Sequence, residues 1–67
     1  MEIREITEDK RRFLPLLLLA DEQEEMVMRY LPHGALFALY DPELCAVAVV
    51  TDEGDGRCEL KNLAVEP

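Results

Sequence analysis

Sixty-seven residues, 49% hydrophobic and 33% charged, make one small domain at most, too short for a large core and too apolar for a disordered tail. Fifteen acidic residues against seven Lys and Arg leave a net charge of -8, which repels phosphate backbones and anionic lipid, so nucleic acid and membrane are excluded as expected partners. The early apolar run from Phe13 to Ala20 is broken by Pro15 and falls far short of the roughly 20 residues that cross a bilayer.

Glu2 to Ile6 alternates charged and apolar side chains and reads as a short edge strand. Thr7 suits a helix N-cap, and Glu8 and Asp9 put anions where the helix dipole favours them, so a helix is predicted from about Glu8 toward Leu19, kinked or divided by Pro15. Asp21, with Glu24 three residues on, has the form of a capping box and opens a second helix to about Leu31. Its buried stripe is read as Met26, Val27, Tyr30 and Leu31, and Pro32 with Gly34 ends it.

Ala35, Phe37 and Leu39 then alternate with Leu36, Ala38 and Tyr40, a strand apolar on both faces. Asp41-Pro42-Glu43 supplies a turn, Leu44 to Thr51 repeats the two-faced pattern with Val47, Val49 and Val50, Asp52 to Gly56 forms a polar loop, and Arg57 to Val65 is a last strand. The fold class is α+β, an antiparallel meander with two helices on one face, in a single partial domain over residues 1–67. The second apolar face has no cover. Either more chain follows or another molecule lies on it, and a symmetric homodimer is the expected occupant.

Met1-Glu2-Ile3-Arg4-Glu5 has neither the basic nor the apolar block of a signal peptide, which predicts a cytoplasmic protein with reduced thiols. The predicted hairpin puts Cys45 near Ala64, out of register with Cys58, and no Cys or His spacing fits a metal, so neither a disulfide nor a metal site is expected.

The segment Glu59-Leu60-Lys61-Asn62-Leu63-Ala64-Val65-Glu66-Pro67 resembles the fourth strand of the GNAT superfamily of N-acetyltransferases, where a Leu-Ala-Val-Glu-Pro stretch runs into the cofactor loop. The order of elements upstream agrees with it. The resemblance implies the N-terminal half of a GNAT fold and the transfer of an acetyl group from acetyl-CoA to an amine by direct attack on the thioester. In that family the next residues carry a Gln- or Arg-x-x-Gly-x-Gly or Ala pattern whose N–H groups hold the pyrophosphate. The sequence stops before it, so the 67 residues alone are expected to be inactive.

The same resemblance implies main-chain roles on the last strand: the N–H of Leu63 polarises the thioester carbonyl, and Leu63 and Val65 pair with the pantetheine arm. Glu59 stands where some members carry a base that deprotonates the ammonium, directly or through water; the plainer reading is a solvated strand residue beside Lys61. Asp21, Glu22, Glu24 and Glu25 border the implied acceptor pocket, although a dipole-favoured helix start accounts for them too. His33 is a lone turn residue, and Met26 and Met28 read as filler and surface. The competing function is a small non-enzymatic binding module built as a homodimer on the same half-fold.

Overall fold

Alternation of apolar residues along four segments produces one antiparallel sheet whose strands lie side by side in chain order. The computed structural model describes all residues, Met1–Pro67. The elements are β1 (Glu2–Ile6), a 3-10 turn (Lys10–Phe13), α1 (Leu14–Ala20), α2 (Glu24–Tyr30), β2 (Ala35–Tyr40), β3 (Leu44–Gly54) and β4 (Arg57–Val65). This is the predicted α+β meander.

The helical region starts later than the sequence suggests. Thr7 caps nothing; Asp9 takes a left-handed backbone (φ 52), a 3-10 turn follows, and α1 begins at Leu14. Pro15 therefore starts a helix rather than dividing one, because its missing N–H costs nothing in a first turn. The capping box is absent as well. Asp21 Oδ1 accepts the N–H of Gln23 at 3.1 Å, closing a local turn, and Gln23 becomes the N-cap of α2 without a side-chain cap. Val27 and Leu31 are buried as predicted, but Met26 is 41% exposed and Met28 packs on the core in its place. The buried stripe leans to the other side of Val27.

Leu36, Ala38, Val47, Val49 and Ala64 from the sheet meet Phe13, Leu16, Leu17, Val27 and Leu31 from the helical layer, forming a single core. Gly34 sits where the chain turns from α2 into β2. A Cβ there would lie 2.6 Å from Val49 Cγ1 and 3.1 Å from the Tyr30 carbonyl, so only glycine lets the helix end approach the sheet. On β1, the Arg4 guanidinium holds the Glu2 carboxyl below its ordinary range, first by hydrogen bonding and then by its charge. These exposed charges blunt that edge of the sheet.

β3 runs on to Gly54, so the predicted loop from Asp52 shrinks to a tight turn at Asp55 and Gly56. Gly54, Asp55 and Gly56 all have positive φ, which carries both strands to the turn. Val47, not Cys45, faces Ala64; the Cys45 carbonyl instead accepts the N–H of Glu66. Cys58 pairs with Asp52, and both thiols are free.

The β3–β4 ladder is irregular in its middle. Val49 pairs with Asn62 and Val50 with Leu60, leaving Lys61 as the extra residue of a β-bulge on β4. Lys61 and Asn62 consequently both turn toward the helical layer, where Asn62 is buried and Lys61 lines a cleft with Tyr30.

Candidate functional site

β4 is an edge strand, paired with β3 on one side only. The N–H of Glu66 donates to the Cys45 carbonyl on β3 at 2.8 Å. Backbone groups in an antiparallel strand alternate in direction, so Ala64 and Asn62 also direct N–H and C=O toward β3, whereas those of Leu63 and Val65 point away from the sheet. The free edge thus offers two outward N–H groups about 7 Å apart, the spacing at which a further extended chain is recognised.

The side chains of Leu63 and Val65 are 57% and 63% exposed on the face opposite the helices. Leu63 borders a shallow depression of about 180 Å³ there, with Ile3, Phe37, Leu39 and Ala48. Its lining is wholly apolar. This is the uncovered sheet face that the two-sided strand pattern predicts.

Glu59 is exposed, faces Thr51 across the ladder and forms an ion pair with Lys61 at 3.1 Å. The pairing with Lys61 is the one the alternation suggested. Glu59 lies four residues from Leu63, on the order of 13 Å of strand, so a proton passing between the two positions would travel through water.

Asn62 joins this strand to both helices. Its Nδ2 donates to the Leu17 carbonyl at 3.1 Å and to the Tyr30 hydroxyl at 3.0 Å, while its buried Oδ1 has no partner. Beside that network a cleft of about 380 Å³ opens, lined by the end of α2, the last turn of β3 and Lys61. His33 lies on its rim with Tyr30. Asp21 is spent on its local turn, and Glu22, Glu24 and Glu25 remain solvated at the start of α2, not gathered with Glu59 and Leu63. No group of three His, Cys, Asp or Glu is placed to hold a metal ion, and no helix is long and apolar enough to cross a membrane.

Sequence reasoning assigned Asn62 no role and read Tyr30 only as part of the buried stripe of the second helix; the structure leaves Tyr30 half-buried, bonded to Asn62. Asn62 carries one usable signal, since it shares the face of Ala64 in an otherwise apolar stretch, and a buried amide requires partners.

No protein-family model matches the chain, and no curated protein does. Two solved structures match closely. One is a GNAT family acetyltransferase from Elizabethkingia anophelis with acetyl-CoA bound, 32% identical with a TM-score of 0.82, the match covering 96% of this chain and 42% of that one. The other is an acetyltransferase from Bacillus subtilis in complex with CoA, 30% identical with a TM-score of 0.81, covering 97% of this chain and 43% of that one. The chain spans less than half the length of either.

Proposed function

From a chain whose fold is the N-terminal half of a GNAT acetyltransferase, we propose that it is part of an enzyme that moves an acetyl group from acetyl-CoA to an amine. The observation that carries this reading is the free edge of β4, where Leu63 and Val65 direct their N–H groups outward. An extended, amide-bearing arm adds to such an edge as a further strand would, and a fixed N–H at Leu63 meets the charge that develops on a thioester oxygen.

Acetyl-CoA supplies the activated acetyl group and a thiolate leaving group. The amine lone pair attacks the carbonyl carbon, a C–N bond forms as the C–S bond breaks, and the thiolate takes up a proton. A protonated amine has no lone pair to offer, so a base is required, and Glu59 serves through water. Its carboxylate is exposed to the water that such a relay needs. Such an enzyme belongs in the cytoplasm, in keeping with two free thiols.

A second proposal concerns assembly. Ile3, Leu63 and Val65 stand exposed on one apolar face, and the accessible surface of 4743 Å² exceeds the roughly 4,300 Å² of a compact monomer of 7.7 kDa. The isolated chain forms a two-fold dimer through this face and the β4 edge.

The test of acetyl transfer is Leu63→Pro in the protein that carries this chain. An outward N–H on an edge strand can be replaced by proline without breaking the ladder. Release of free thiol from acetyl-CoA should then fall about 100-fold to 1,000-fold with the fold intact. Unchanged turnover would falsify the role of the Leu63 N–H.

A further inference from the structure

Tyr30 ends α2 with its hydroxyl held by an amide whose orientation is not free to reverse. Asn62 Nδ2 donates at 3.0 Å to Tyr30 Oη and at 3.1 Å to the Leu17 carbonyl; a carbonyl can only accept, so the amino group must face it. A phenol that accepts one hydrogen bond keeps its own proton for another acceptor. No group of the chain takes that proton.

Tyr30 lines the cleft of about 380 Å³ together with Arg29 and Lys61. Arg29 has no carboxylate within ion-pair distance. Asp52 and Glu53 also line the cleft; Asp52 accepts the N–H of Gly54 and Glu53 the hydroxyl of Thr51, and both keep their negative charge, which favours a ligand with an ammonium end over a bare anion. The cleft therefore holds the Tyr30 hydroxyl and the Arg29 guanidinium as donors without a partner, with the His33 imidazole on its rim, directly beside the strand that carries Leu63.

Resting on the acetyl-transfer reading, we propose that this cleft is the acceptor pocket and that the acceptor is an amine that also carries a carboxylate, such as a short amino acid. Its carboxylate takes the Tyr30 hydroxyl proton and the Arg29 guanidinium, a charge-assisted pair of donors suited to a planar anion. Its amine runs along β4 toward Leu63, which lies two residues from Lys61, about 7 Å of strand. A simple alkylamine would leave both donors unanswered, and a site built on hydrogen bonds rejects the analogue that lacks the acceptor.

The isotope-labelled 67-residue chain is titrated by NMR with β-alanine, propylamine and propionate in turn. β-Alanine should shift the amides of Arg29, Tyr30 and Lys61 and the side-chain amide of Asn62, and bind about tenfold more tightly than either single-charge probe. Tyr30→Phe, which keeps the ring packed, and Arg29→Gln should each weaken β-alanine about tenfold, with the dispersion of the spectrum reporting an intact fold. Equal binding of propylamine, shifts confined to the β3–β4 turn or the β4 edge, or no shift at all overturns the assignment. These titrations contain no acetyl-CoA. Failure of the unsubstituted whole protein to release thiol from acetyl-CoA would therefore sink acetyl transfer and leave the binding result standing, while a failed titration sinks the cleft alone.

Discussion

Lys10 Nζ donates at 2.6 Å to the carbonyl of Gly34, 24 residues further along the chain, and at 3.2 Å to that of Leu31. A side chain before α1 thereby closes the end of α2, where carbonyls would otherwise lack partners. Lys10→Met keeps the apolar stem and removes the donors. We expect a loss of about 1–3 kcal/mol, read as a lower urea midpoint at unchanged slope. An unmoved midpoint would mean that water caps these carbonyls equally well.

Asn62 gives a prediction with an inverted sign. Its Oδ1 is buried without a partner, so Asn62→Leu removes an unsatisfied acceptor together with two donors, whereas Asn62→Asp buries a carboxylate and turns a donor into a second acceptor facing Leu17. The aspartate variant should be the less stable by at least about 2 kcal/mol at neutral pH and should recover as pH falls and the carboxyl protonates. Thermal melts at two pH values decide it; equal melting temperatures would show that water reaches this site.

Self-association of the isolated chain should be visible by sedimentation at tens of micromolar protein. A net charge of -8 opposes it, and salt screens that repulsion over about 8 Å at physiological ionic strength, so the dimer should strengthen as salt rises. Phe37→Glu, on the open face, should abolish it. A well-folded monomer under all these conditions contradicts the proposal.

The isolated chain should not bind acetyl-CoA measurably by calorimetry. Its glycines lie before β2 and around the β3–β4 turn, and none leads into a helix whose N–H groups would meet a pyrophosphate. Micromolar affinity would show that the strand edge alone suffices.

Glu59→Gln in an active protein should slow turnover most at low pH, where the amine is mostly protonated and a base matters, and should leave acetyl-CoA affinity nearly unchanged. A pH–rate profile that keeps its shape would return Glu59 to a solvated partner of Lys61.

β1, β2 and β4 are legible to the residue, β1 from its alternation of charged and apolar residues, and β2 and β4 because glycine or proline stands just outside their ends. The helix starts mislead for an equally local reason: Thr7-Glu8-Asp9 and Asp21 with Glu24 satisfy capping patterns, while the backbone satisfies itself otherwise. Asn62 could not be placed from sequence, since its partners Leu17 and Tyr30 lie 45 and 32 residues away. The open face was legible from Phe37 and Leu39, whose apolar character exceeds what the two helices cover.

The extra residue at Lys61 acts as a change of parity within β4. On the Leu63 side of it, odd-numbered residues point to the open apolar face; on the other side that face receives Leu60, and Glu59 is carried across the sheet. Without the bulge, Lys61 and Glu59 would both point to that face, with Lys61 next to Leu63, charges on the surface that most needs covering. With it, a single strand shows grease to one neighbour and a titratable rim to the other. Inserting one residue opposite Lys61, between Val49 and Val50, would regularise the ladder and exchange the two sets, bringing Leu60 to the cleft and leaving the charge where a covering partner must land.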